Sequence, residues 1–320
     1  MRDIFMPCYI TMYSTLQARL AAGQVVVTGE IAPPKGASRS KIEELAGNLR
    51  SSFDALNLTD NQRGIARMSA LGAGIVLEQM GLEPIVQITC QHRNRIALQA
   101  DVLSGAALGI RNFLCMTGDH PRIGDHPEAK NVLDVNSFGL IRMLRKMRDA
   151  GSFEAGTPLK EAPQFFLGAV ANPNIERAAR TEKKIEAGAE FIQTQLIFDT
   201  ARFRQWMADV RAAGVHQGAY IMAGIMILRR PRSAIFLRDH LPGTLMPDAV
   251  IERMQRAEDS EREGITIAAE LVSEVLSVEG VAGVHLMSVD WTRAMPYVIE
   301  QAGLLPRPAQ PVAQLAPNHL

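Results

Sequence analysis

Cysteine is nearly missing: Cys8, Cys90 and Cys115 are the only three in 320 residues, far apart and never in a CxxC pair. So odd and sparse a set supplies neither a disulfide framework nor a zinc knuckle, and it suits a reducing compartment. Net charge is missing too. Lys plus Arg and Asp plus Glu each number 34, which argues against a strongly basic nucleic-acid binder. Long apolar runs are absent. The charge-free stretch at 217–228 is too short to cross a bilayer, and the opening MRDIFMPCYITMYSTLQARL has no apolar core followed by a small-residue cleavage site. The expectation is a soluble, cytoplasmic chain with no nucleic-acid or membrane partner. A GxGxxG fingerprint is lacking as well. Gly72-Ala73-Gly74 follows the helical run RMSAL rather than a strand and has no third glycine. It reads as helix packing, and a doubly wound nucleotide-binding sheet loses its main support.

What is present is an ordinary globular balance, 47% hydrophobic and 21% charged, in a chain long enough to bury roughly three-quarters of its extended surface. Eight short apolar runs stand at 25–31, 55–59, 85–90, 112–116, 165–170, 191–194, 219–227 and 284–287. Most are continuous rather than alternating, as parallel strands covered on both faces require. Helical segments lie between them. SRSKIEELAGNLRSS offers Ser38 or Ser40 as N-cap, and ERAARTEKKIEAGA ends at Gly188, a natural stop. Strand starts recur at about 30 residues, the length of one βα unit. The α/β pattern predicts a single-domain (β/α)8 TIM barrel over 25–305. An N-terminal extension, 1–24, precedes it, and a Pro-rich tail, 306–320, follows as an extended or disordered segment that could dock on a neighbouring subunit.

Chemistry in such a barrel sits where the strands end. Those ends carry Glu30, then Thr59 with Asp60 and Asn61, Gln91 with His92, Asp119, Asn172 and Gln195. One polar strand end means little, because strands must exit into water; six converging on one rim suggest a site. Glu30 closes a Val-rich strand, where partial loss of water favours a neutral, proton-donating acid; it reads equally well as a partner of Lys35 or of a rim arginine. Asp119 follows Gly118, which permits an unusual backbone angle or the close approach of a flat ligand. Its carboxylate suits an amino-pyrimidine edge, or simply a turn. Gln195 can donate and accept along a heterocycle, or satisfy rim backbone. Arg177, Arg180, Lys183 and Lys184 read first as a solvated helix face, with Lys183 and Lys184 able to hold a diphosphate. His92 with Arg93 and Arg95 offers another basic rim. The echo GDHP at 118–121 and 124–127 lacks metal-ligand spacing and reads as a turn or substrate-covering loop, so no metal is expected. Cys90 reads as core.

GEIAPPKG at 29–36, LNLTDN at 56–61, ALGIRNFLCMTGDHP at 107–121, KKIEAGAEFIQTQLIFD at 183–199 and AGIMIL at 223–228 together resemble the methylenetetrahydrofolate reductase family of bacterial, single-domain type. The resemblance covers roughly residues 25 to 290. It implies a barrel holding FAD without a Rossmann fingerprint, and reduction of 5,10-methylenetetrahydrofolate to 5-methyltetrahydrofolate, or the reverse oxidation. A reduced nicotinamide, NADH or NADPH, passes hydride to the flavin, and the folate then takes its place.

By the same resemblance Glu30 is the acid that assists opening of the methylene bridge, Asp119 lies beside pterin and flavin, and Gln195 contacts pterin or nicotinamide. Thr59 contacts the flavin within a cofactor set that includes Asp60, Thr117 and Gly118, and Lys183 and Lys184 are a basic pair near the FAD phosphates. The sequence also departs from the family. Gln87 stands where some members have histidine, Thr117 replaces an arginine, Asn172 a flavin-stacking tyrosine, and Pro231 falls near a substrate-contacting phenylalanine. These changes keep a flavin-independent reductase, with direct hydride transfer from NAD(P)H, as an alternative. Others are a subunit fed by an electron-transfer partner, a non-redox folate barrel of a methyl-transfer pathway, and a silent binding module. An aldolase-type lyase would want a strand-end lysine, which is lacking. A homo-oligomer is compatible with all of them.

Overall fold

A strand that is apolar on both faces must be covered outside by helices and filled inside by side chains. The computed structural model describes residues 12–308 and satisfies both demands. Its strands are β1 (Val26–Ile31), β2 (Ala55–Leu58), β3 (Pro84–Thr89), β4 (Asn112–Met116), β5 (Phe166–Ala171), β6 (Phe191–Leu196), β7 (Tyr220–Ile227) and β8 (Val281–Ser288). All pair in parallel with their sequence neighbours, and β1 closes on β8 through Val26 opposite Gly283 and Thr28 opposite His285. Eight strands stand where the sequence predicts eight, and the chain is a (β/α)8 barrel. Cys8 and residues 309–320 of the Pro-rich tail lie outside the described residues.

The helices are α1 (Thr15–Ala21), α2 (Arg39–Gly47), α3 (Ala70–Gln79), α4 (Arg95–Ala107), α5 (Ser137–Asp149), α6 (Ala178–Ala187), α7 (Thr200–Ala212), α8 (Pro231–His240), α9 (Asp248–Arg256), α10 (Ser260–Leu276) and α11 (Met295–Gln301). Their ends follow local chemistry. The Ser38 hydroxyl accepts the Lys41 N–H at the start of α2, and Gly188 ends α6 with φ of 125°. Gly74 packs α3 on β3: a Cβ there would lie 2.6 Å from a methyl of Val86. The Gly-Ala-Gly run is therefore a packing feature, as expected. Among the described residues no helix is long and apolar enough to cross a membrane.

Two apolar masses hold the barrel. The larger lies between strands and helices, with Trp206, Phe113, Phe165 and Phe203 fully buried in it. The smaller fills the barrel floor, where Leu16 and Leu20 of α1 meet Val26, Ala55, Ile85, Leu114, Phe166, Phe191 and Met222. Below the floor the buried Asp54 carboxylate accepts the Val27 N–H at 2.8 Å and pairs with Arg19 and Arg307. Arg19 also donates to the Pro308 carbonyl at 3.1 Å. Residues 307 and 308, assigned by sequence to the tail, are thus tied to the N-terminal face. Polar groups begin one side-chain layer above the floor, because alternate residues of each strand point inward.

Candidate active site

Glu30 stands two residues above Val26-Val27-Thr28 on β1 and keeps 14% of its side chain exposed. Its Oε2 accepts a hydrogen bond from Gln87 Nε2 at 3.2 Å and faces His285 Nε2 at 3.6 Å. Lys35, offered by sequence as a partner, turns away to Asp125 at 3.5 Å. Beneath Glu30 runs a buried polar chain. His285 Nδ1 meets Thr28 Oγ1 at 2.9 Å, Gln193 Nε2 donates to that hydroxyl at 3.2 Å, and Asn57 Nδ2 donates to Gln193 Oε1 at 2.6 Å. Thr28, Asn57, Gln193 and His285 are each at most 3% exposed.

Sequence reading by strand ends missed these four, although a signal exists. Thr28, Asn57 and Gln193 precede Glu30, Thr59 and Gln195 by two residues, the period that places side chains on one strand face.

Loops from β2 and β4 rise over the mouth and are stitched together. Asp119 Oδ2 accepts the Arg63 N–H at 2.6 Å, and Asp125 accepts the Ala66 N–H at 3.1 Å. The two loops cross backbone on backbone: a Cβ at Gly124 would lie 1.8 Å from the Gly64 carbonyl oxygen. The GDHP echo thus supplies two loop ties, and among the described residues no cluster of His, Cys, Asp and Glu is poised to hold a metal. Gly118 adopts φ of 85°, and a Cβ there would meet Thr89 at 2.7 Å. Its role is the unusual backbone angle packed against β3. Farther along, the Arg63 guanidinium lies 5.8 Å from the Phe236 ring centre on α8.

The remaining sequence-predicted residues divide. Thr59 is 1% exposed, with a hydroxyl that has no hydrogen-bond partner among the described residues. Asp60 is buried, its Oδ2 accepting Thr89 N–H at 3.0 Å, Thr89 Oγ1 at 2.8 Å and the Arg93 guanidinium. Arg93 also pairs with Asp101, and Arg95 with Asp134, so this basic rim is neutralised. Burial lowers the His92 pKa and favours its neutral ring. Cys90 is fully buried, its thiol pushed up by burial to about 11, as expected for core. Thr117 is exposed.

On β6, Gln195 sits at a register irregularity where the Gly224 N–H donates to Thr194 Oγ1 at 2.8 Å. Such bulges re-aim side chains beside sites. Gln195 Oε1 accepts the Leu196 N–H at 3.3 Å, and its Nε2 has no partner among the described residues. Asn172 is drawn into the rim: its Nδ2 donates to the Gly243 carbonyl at 3.3 Å and its Oδ1 accepts the Asn174 N–H at 3.0 Å.

The α6 lysines part company. Lys183 is exposed, whereas Lys184 is buried and donates to the Val170 carbonyl at 2.6 Å and to Glu176 at 3.0 Å. Burial lowers the Lys184 pKa against the pull of Glu176. The solvated face expected of this helix therefore excludes Lys184, because its aliphatic stem and ammonium both find partners under the helix. Toward a flavin ring the residues would offer Asp119 and the buried Thr59 hydroxyl, which is unpaired among the described residues. Toward a diphosphate they leave Lys183 as the exposed cation of the pair.

A closed parallel barrel whose C-terminal mouth gathers an acid, two amides and an aspartate is a scaffold of the kind that works at that face. Comparison with known proteins specifies it further: the chain belongs to the methylenetetrahydrofolate reductase family, whose profile matches residues 15–303. Methylenetetrahydrofolate reductase 2 of Saccharomyces cerevisiae is 25% identical over 315 residues, 91% of this chain and 49% of that protein. The chain spans half or less of the length of the first eukaryotic relatives it matches. The 5,10-methylenetetrahydrofolate reductase of Pectobacterium carotovorum is 22% identical over 303 residues, 89% of this chain and 92% of that one. Among solved structures, a protein from Clostridium thermocellum that binds two copies of 5-methyl-5,6,7,8-tetrahydrofolic acid has the same fold. Its TM-score is 0.63 at 12% identity, over 90% of this chain and 98% of that chain.

Proposed function

We propose that this chain interconverts 5,10-methylenetetrahydrofolate and 5-methyltetrahydrofolate by hydride transfer from NADH or NADPH, with FAD as the carrier between them. The observation that carries the reading is Glu30, an inward carboxyl at the mouth with Oε2 held by Gln87 and Oε1 without a hydrogen bond among the described residues. Glu30 gives its proton to the nitrogen that leaves as the methylene bridge opens, and the resulting iminium carbon receives the hydride and becomes the methyl group. Asp119 has no hydrogen bond at Oδ1 among the described residues while Oδ2 holds Arg63, so it accepts N–H groups of the pterin edge. Gln195 offers its free Nε2 to the same ring system. FAD, when bound, supplies a hydride store; Thr59 and Asp119 would meet its ring and Lys183 its diphosphate. Membership in the family supports the folate class, and a barrel of this fold holds methyltetrahydrofolate in the Clostridium thermocellum protein.

A second reading, direct hydride transfer without flavin, is favoured by the inward Lys184 and the committed amide of Asn172. The absorption spectrum of purified protein, with flavin analysis of a denatured aliquot, separates the two. Stoichiometric FAD, with NAD(P)H oxidation by menadione, supports the carrier route. Flavin-free protein that still converts methylene-folate with NAD(P)H supports the direct route. Flavin-free protein with no turnover under either donor overturns both and leaves a non-redox folate barrel.

A further inference from the structure

The polar chain under Glu30 ends on a histidine with two distinct nitrogens, and its hydrogen-bond directions select one tautomer. Gln193 and Asn57 hold each other by reciprocal amide bonds of 2.6 and 3.2 Å, which leaves Gln193 Nε2 donating to Thr28 Oγ1 at 3.2 Å. The Thr28 hydroxyl then has one proton to give. Its nearer acceptor is His285 Nδ1 at 2.9 Å; the Val284 carbonyl is at 3.4 Å. A ring whose Nδ1 accepts carries its proton on Nε2 when neutral, and Nε2 is the nitrogen facing Glu30 Oε2.

We propose that His285 is a positioning residue for Glu30, held as the Nε2–H tautomer by Thr28 so that the ring N–H points at the Glu30 carboxyl. The proposal rests on the reading of Glu30 as the acid. Gln87 Nε2–H donates to Oε2 at 3.2 Å and His285 Nε2–H faces the same oxygen at 3.6 Å, which leaves Oε1 to substrate. When Glu30 gives up its proton, a full negative charge forms there; it strengthens the Gln87 hydrogen bond and attracts the His285 N–H, since charge-assisted hydrogen bonds are roughly twice as strong as neutral ones. The arrangement therefore favours the state reached after proton donation.

Among the described residues Glu30 on β1 is the one carboxylate within 4 Å of the ring. On the other side, β7 sets Gly224 opposite His285, so β1 and β7 add no other charge at that level.

The test begins with 15N-histidine-labelled full-length protein. The His285 ring signals, identified among seven histidines by their loss in His285→Asn, are expected to show a protonated Nε2 and a bare Nδ1. The opposite pattern overturns the proposal whether or not the chain turns over folate. Kinetics follow. His285→Asn is expected to lower kcat about tenfold to a hundredfold, the usual cost of removing an outer orienting partner, with the folate KM nearly unchanged and the pH profile of kcat altered. Thr28→Val should reproduce part of that loss, and Thr28→Ser should restore it. Wild-type kcat and pH profile in both His285→Asn and Thr28→Val overturn the proposal. If His285→Asn does not fold, the Thr28→Val and Thr28→Ser pair carries the kinetic test. Absence of folate turnover in the wild type overturns the functional reading and leaves the tautomer measurement to decide this one.

Discussion

The carboxylate of Asp119 accepts the backbone N–H of Arg63 at 2.6 Å, with Arg63 in the left-handed region at φ of 63°. A non-glycine residue held there costs of order 1–3 kcal/mol, so the bond keeps the β2 loop in a conformation it would otherwise leave. Asp119→Asn retains an acceptor oxygen and is expected to keep the loops joined while folate turnover falls. Asp119→Ala is expected to release the loop too, seen as faster amide exchange across residues 61–66. Equal exchange in the two variants would show that the loop is held elsewhere.

Gly124 lets the β4 loop cross the β2 loop at backbone contact. In Gly124→Ala the added methyl must part the crossing. The expected loss is about 1–3 kcal/mol of stability, the range for overpacking, together with weaker folate binding. Denaturant melts paired with a folate titration read both quantities.

Glu30→Gln preserves shape and the donor from Gln87 needs only an acceptor oxygen, but the proton to be donated is gone. Turnover of methylene-folate is expected to fall by about 10²–10⁴, while reduction of menadione by NAD(P)H, which needs no such proton, stays within a few-fold of wild type. Full folate turnover in this variant would remove Glu30 from its role.

Adjacent lysines on α6 are expected to behave oppositely. Lys184→Ala leaves the Val170 carbonyl without its buried partner, while Glu176 keeps Arg180, a loss of about 1–3 kcal/mol for an unsatisfied buried group. Lys183→Ala should change stability by less than about 0.5 kcal/mol and weaken binding of the diphosphate-bearing cofactor. Thermal melts and cofactor titrations of the two proteins make the comparison.

Asp134 fastens the far end of the β4 loop to Arg95 at the start of α4, at 2.9 Å from the backbone N–H and 2.8 Å from Nε. Those hydrogen bonds hold its carboxyl down to about 2, below the ordinary value of about 4. Because the folded value is the lower one, the fastening is complete above about pH 4 and is lost as pH falls through about 2. An NMR titration of the Asp134 carboxyl should show its midpoint there in the wild type and a higher one in Arg95→Ala, which loses the guanidinium and keeps the backbone N–H.

The eight strands and the barrel were legible because burial on both faces forces continuous apolar runs, and the βα repeat leaves few other closures. The rim was legible in part for a related reason: a strand leaving an apolar core carries polar residues near its end, and Glu30 and Gln195 stand there, whereas Thr59 is buried and Asp119 lies three residues past β4. The local sequence around Lys183 and Lys184 carried no such information. Both lie in one charged helical run, and which of them turns under the helix depends on Glu176 and the Val170 carbonyl, brought there by β5.

Asn172 and Asp60 looked open to a cofactor, yet Gly243, Thr89 and Arg93 already engage them. Local pattern by itself determined the element order, the barrel and the residues that end its strands, since burial periodicity is written along the chain. Tertiary structure alone decided that Thr28, Asn57, Gln193 and His285, drawn from β1, β2, β6 and β8, meet as one hydrogen-bonded chain beneath Glu30. The Thr28–His285 hydrogen bond, across 257 positions, depends on barrel closure and strand register, which no single stretch of sequence encodes.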